Sequence, residues 1–76
     1  VTVTIHMHGT LRRFLPEGRD RSAVDLAPGT TVQALLASLR ADRDTWLVAV
    51  NGATVDRDHA LAEGDLVDCF EPQAAG

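Results

Sequence analysis

Seventy-six residues, 45% of them hydrophobic and 24% charged, make one small globular domain and leave no material for a second core. A formal charge of −4 provides no basic stripe, which argues against nucleic acid and acidic membrane surfaces as partners. The seven basic residues are all arginine, so no lysine amine can form an isopeptide or Schiff base, and the single cysteine, Cys69, excludes an internal disulfide.

From Val1 to His8 the residues alternate, with Val1, Val3, Ile5 and Met7 on one face and Thr2, Thr4, His6 and His8 on the other, which predicts a half-buried strand. Gly9-Thr10 breaks the run. Leu11 to Leu15 then makes a short helical turn with Leu11 and Leu15 inward, ended by Pro16-Glu17-Gly18. Ser22 to Leu26 repeats the period of two, with Val24 and Leu26 inward and Asp25 out. Across Thr31 to Arg40, Val32, Leu35, Leu36 and Leu39 fall on one helical face. Thr31 is the expected N-cap, although Thr30 with Gln33 would make a capping box one residue earlier.

Trp46 to Val50 reads as a third strand with Trp46 as a core or core-edge anchor. Asn51-Gly52 suits a tight turn with positive φ at both central residues, and Ala53 to Val55 returns as the partner. Asp56 to Glu63 is a polar excursion carrying Leu61. Gly64-Asp65 then turns into a last strand, Leu66 to Phe70, with Val67 and Cys69 facing the core and Leu66, Asp68 and Phe70 facing out. Pro72 stops the pairing. Strand, strand, helix and two or three further strands define an α+β fold, a mixed four- to five-stranded sheet with one main helix across one face.

His6 and His8 share a strand face and would supply half of a metal site, but no cysteine pair complements them and His59 lies in a loop. A solvated polar face is the better account, and no metal is expected. Cys69, flanked by Asp68 and facing inward, reads as a small buried hydrophobe instead of a nucleophile. Asp56, Asp58, Glu63 and Asp65 lack the alternating ligand pattern of a calcium loop and read as a solvated surface.

Taken together, Leu11-Arg12 after the first strand, Pro28-Gly29-Thr30-Thr31-Val32 with Leu35-Leu36, Val48-Ala49-Val50-Asn51-Gly52 and Leu61-Ala62-Glu63-Gly64-Asp65-Leu66-Val67 resemble the ThiS/MoaD-type sulfur carriers. These are ubiquitin-like proteins of the β-grasp fold. The long connection from Gly9 to Arg21 is more similar to the molybdopterin synthase small subunit than to the shorter thiazole-pathway carriers. The resemblance implies a β-grasp domain over residues 1–70 and a flexible C-terminal tail over 71–76. Phe70, Pro72 and Gly76 take the places of the aromatic, the proline-containing spacer and the terminal glycine, while Ala75 stands where a penultimate glycine is expected.

The function implied is that of a non-catalytic carrier. Its Gly76 carboxylate is adenylated on a ubiquitin-activating-type enzyme and converted by a persulfide donor to a thiocarboxylate. Sulfur then passes to a molybdopterin synthase large subunit or another sulfur-accepting enzyme. ATP is used by the adenylating partner and no cofactor is bound by this chain. Leu66, Phe70, Pro72, Ala74 and Ala75 are the expected partner-binding residues, with Phe70 as an outward aromatic beside the tail. No signal peptide or apolar span of about twenty residues occurs, so the cytoplasm is the expected location. The competing class is a non-conjugating β-grasp interaction module that uses the same sheet face and carries no sulfur, and a third reading keeps the carrier chemistry but delivers the sulfur to thiazole, cysteine or another sulfur-containing metabolite.

Overall fold

Val3, Ile5 and Met7 are buried in β1 (Thr2–Met7), so the period of two read from the sequence orients this strand. The computed structural model describes residues 1–71. The remaining elements are β2 (Arg21–Asp25), α1 (Val32–Ser38), β3 (Leu47–Val50), β4 (Ala53–Thr54) and β5 (Leu66–Phe70). Two short 3-10 segments, Gly9–Phe14 and Pro16–Gly18, bridge β1 to β2 and bury Leu11 and Leu15.

The sheet order is β2-β1-β5-β3-β4. β1 and β5 run parallel, and the β1/β2, β3/β5 and β3/β4 pairs are antiparallel. A parallel central pair formed by the first and last strands, with one helix across one face, is the β-grasp arrangement. Val3, Ile5, Met7, Val48, Val50, Val67 and Cys69 meet Val32, Leu35 and Leu36 of α1 in one core, with Leu11, Leu15, Ala41 and Leu61 closing its edges. Among the described residues no element covers the other face of the sheet. It carries Thr4, His6 and His8 from the β1 side, Leu66, Asp68 and Phe70 from β5, and Leu47 and Ala49 from β3.

The helix is short and capped at both ends. Thr31 Oγ1 accepts from the Ala34 amide at 3.2 Å, which settles the N-cap on Thr31, while Thr30 Oγ1 donates to the Ala27 carbonyl instead. At the other end the Ala41 amide reaches the Leu36 carbonyl at 2.9 Å and the Arg40 amide reaches the Ala37 carbonyl at 3.1 Å, a Schellman closure. Arg40 is therefore left-handed, with φ of 61°, a conformation that costs a residue bearing a Cβ. Arg40→Gly is expected to raise stability by about 0.5–1 kcal/mol in urea unfolding, with an unchanged slope.

Asn51 and Gly52, with φ of 53° and 88°, form the two-residue hairpin turn between β3 and β4. Asn51 also ties this turn to the start of β5, accepting from the Leu66 amide at 3.0 Å and donating to Asp65 at 2.9 Å. Arg57 braces the chain leaving the helix: it donates to Gln33 Oε1 and the Asp42 carbonyl, each at 3.2 Å, and to the Thr45 carbonyl.

Trp46 is not the core anchor the sequence suggested, being 72% exposed. The regular pairing of β3 begins one residue later, at Leu47, so the alternation that buries Val48 and Val50 does not extend to Trp46. Among the described residues no helix is long and apolar enough to cross a membrane.

Candidate functional site

The end of β5 is where chemistry-bearing residues and the root of the tail meet. Phe70 closes β5 on the open face, opposite Leu47 in register. Its ring stacks on the His8 imidazole, with centroids 4.3 Å apart and planes 13° from parallel. Half-buried Phe70 is thus held in place by the residue that follows β1. Beside it, Trp46 and Leu47 are the exposed large hydrophobic residues, and the Trp46 amide bonds to the Phe70 carbonyl at 2.8 Å. An ordered aromatic paired with the exposed Leu47 on the open face suits protein docking.

The first residue beyond the strand is also fastened. The Thr10 amide donates to Glu71 Oε1 at 2.9 Å and the Thr10 hydroxyl donates to Glu71 Oε2. Arg13 donates to the Thr10 carbonyl at 2.8 Å and to its hydroxyl at 2.9 Å, completing the clamp. The hydrogen bonds from Thr10, with help from the Arg13 charge, hold the Glu71 carboxyl below the usual glutamate range. Gly9 enables the approach: its φ is +62°, and a side chain there would collide with the Glu71 carboxylate. The clamp fastens Glu71, the last described residue, to the turn that follows β1.

Cys69 lies on the opposite, core face and is fully buried. Burial, with the Asp68 charge adding to it, pushes its thiol from 9.0 up to about 12, so no thiolate is available near neutrality. Because the folded chain holds this proton more tightly than the unfolded one, its contribution to stability is complete below about pH 9 and is lost as pH rises towards about 12. Unfolding free energies from urea melts through that window are expected to fall by up to about 1.4 kcal/mol per pH unit, and Cys69→Ala to flatten the slope.

Of the other residues singled out, Glu63 and Asp65 act locally. Glu63 Oε1 accepts from the Thr2 amide at 3.0 Å, and Asp65 accepts from the Ala62 amide at 2.8 Å. The Ala62 and Asn51 bonds lower the Asp65 carboxyl. Asp68, which the sequence placed only as an outward residue, stands between His6 and His8. Its Oδ1 lies 3.1 Å from His6 Nδ1 and 2.9 Å from His8 Nε2. Leu66 is half-buried on the same face as Phe70. Pro72, Ala74, Ala75 and Gly76, the remaining expected site residues, lie outside the described residues.

The ThiS family model matches residues 5–76. The chain belongs to the ThiS family. No curated protein matches the sequence. Among solved structures, this ThiS-family chain is similar to molybdopterin converting factor subunit 1 from Pyrococcus furiosus, with a TM-score of 0.78 and 24% identity, covering 96% of this chain and 99% of that one. It is also similar to SAMP1 from Haloferax volcanii, with a TM-score of 0.79, 21% identity and full coverage of both chains. A third likeness is to the complex of subunits 1 and 2 of the molybdopterin-converting factor from Helicobacter pylori, with a TM-score of 0.64, 18% identity and full coverage of both chains. At these identities the likenesses establish the ubiquitin-like β-grasp fold.

Proposed function

We propose that this chain is a sulfur carrier whose glycine carboxylate at Gly76 is adenylated and then converted to a thiocarboxylate, and that it serves molybdopterin synthesis as the non-catalytic small subunit of a two-part synthase. The observation carrying this reading is the family match, which runs from β1 through the tail glycine. The neighbour described as molybdopterin converting factor subunit 1 supports the choice of pathway, and the Helicobacter pylori complex supports a large-subunit partner.

The chemistry follows from what a carboxylate lacks. Carboxylate oxygen is a poor leaving group. Its attack on the α-phosphate of ATP, held by the adenylating enzyme, releases pyrophosphate and forms an acyl-adenylate in which that oxygen can leave as part of AMP. The outer sulfur of a persulfide donor then attacks the acyl carbon and expels AMP, and a thiol cleaves the resulting acyl disulfide, forming a disulfide with the donor and leaving a thiocarboxylate, a soft nucleophile that stays tethered to its carrier. This chain contributes reach and docking: six residues beyond Phe70 extend up to about 20 Å, enough to carry a terminal sulfur into a partner's pocket. The Glu71 clamp fastens the root of that reach. Leu66 and Phe70 on the open face, with Pro72, Ala74 and Ala75 along the tail, form the proposed contact surface. A need for ATP and for thiols to reduce the acyl disulfide supports a cytoplasmic location.

ATP–pyrophosphate exchange tests the reading. The folded chain is expected to stimulate exchange by its adenylating enzyme, and no stimulation would contradict the proposal. Phe70→Ala is expected to raise the chain's apparent KM about 30-fold, the loss of an interface anchor of about 2 kcal/mol, with little change in kcat. The likeness to SAMP1, a small archaeal modifier protein, favours one alternative acceptor, a protein amine. It would appear as a covalent adduct of the whole chain on another protein instead of a sulfur-for-oxygen exchange.

A further inference from the structure

The geometry points to a divalent transition-metal site on the open face of the sheet, formed by His6 Nδ1, His8 Nε2 and one carboxylate oxygen of Asp68. The three residues are brought together by the parallel register of β1 and β5, in which His6 stands directly opposite Asp68 and His8 lies one pleat further along the same face. Their donor atoms all lie within 4.8 Å of one another. Donors about 2.0–2.1 Å from a tetrahedral ion stand about 3.3 Å apart. The distances of 3.1 Å and 2.9 Å from Asp68 Oδ1 to the two imidazole nitrogens would need to open by only a few tenths of an ångström.

Three further features favour a metal over a plain hydrogen-bonded cluster. The Asp68 carboxylate oxygen only accepts, so His8, hydrogen-bonded to it at 2.9 Å, presents N–H there, and a cation would replace that proton and take the His6 Nδ1 that already stands 3.1 Å from the same oxygen. The rings are also held in place: His6 and His8 pack with centroids 4.0 Å apart, and Phe70 stacks on the outer side of His8. Finally, the Asp20 carboxylate stands 3.7 Å from the far nitrogen of His6, Nε2, too long for a hydrogen bond but near enough for its charge to favour the proton on that side and leave Nδ1 to ligate. Side-chain exposures of 19% for His6, 36% for His8 and 18% for Asp68 leave an approach from solvent. Two imidazoles and one carboxylate suit an ion such as Zn²⁺, with the remaining positions left to water.

Zn²⁺ itself is the probe. Isothermal titration of the full chain with zinc sulfate is expected to show one ion per chain. Ring ¹⁵N shifts of His6 and His8 should move on binding while those of His59 stay still. His8→Gln and Asp68→Asn are each expected to weaken binding by about 100-fold or more, and Asp20→Asn by about tenfold. His59→Gln should leave binding unchanged. Absence of Zn²⁺ uptake by the folded wild-type chain would overturn the proposal, as would uptake that leaves the His6 and His8 ring shifts unmoved. The ring shifts decide the question in the wild-type chain even where a variant fails to fold.

Discussion

Deleting Gly76 is expected to abolish sulfur loading altogether while leaving the fold intact. The proposed reaction takes place at one carboxylate. Removing the glycine shifts that carboxylate back one residue onto Ala75, whose Cβ would then sit where the activating enzyme receives an unsubstituted carbon. The buried core, from Val3 to Cys69, lies wholly within the described domain, so unfolding free energy should change by no more than about 0.5 kcal/mol. Exchange activity with the adenylating enzyme, measured beside a urea melt, checks both halves. An interaction module behaves differently: it would bind its partner unchanged without Gly76. Ala75→Gly is the companion variant. If the methyl group meets the wall of the enzyme's tunnel, relief of about 1–3 kcal/mol of overpacking would raise activation by about 5- to 150-fold.

Ile5→Ala is expected to cost about 2–5 kcal/mol. Ile5 is fully buried at the centre of β1, opposite Val67 in the parallel register, and belongs to the core formed against α1. A 76-residue domain has about 4–11 kcal/mol of total stability to lose, so this single truncation consumes a large share of it. A Tm drop of about 10–25 °C should accompany it, and Ile5→Val should cost only about 0.5–1.5 kcal/mol. A loss below about 1 kcal/mol for the alanine variant would mean that the sheet and helix are not packed through this residue.

The parts of the fold legible in the sequence are those governed by local chemistry. Alternation gave the buried faces of β1 and β5, three- and four-residue spacing gave the inner face of α1, and Asn51-Gly52 announced its turn. Thr31 was readable as a cap because a hydroxyl just before an apolar helical run has an orphan amide to meet. Trp46 was misread because alternation says which way a residue faces only once the strand has begun, and regular pairing starts at Leu47. The approach of Asp68 to His6 and His8 depends on a parallel register between segments about 60 residues apart, which no local pattern encodes. Arg57 was silent for a similar reason: its acceptors include main-chain carbonyls of an irregular segment whose path only the folded chain defines. The family resemblance, carried by the order of short segments, supplies the role proposed for Gly76, which composition and periodicity alone do not give.

Intact-protein mass spectrometry on chain purified from its native cell tests the carrier proposal most directly. Replacement of one oxygen by sulfur at Gly76, a gain of about 16 Da, is the predicted result. A terminus that stays unmodified when ATP, the adenylating enzyme and a persulfide donor are all supplied would contradict it.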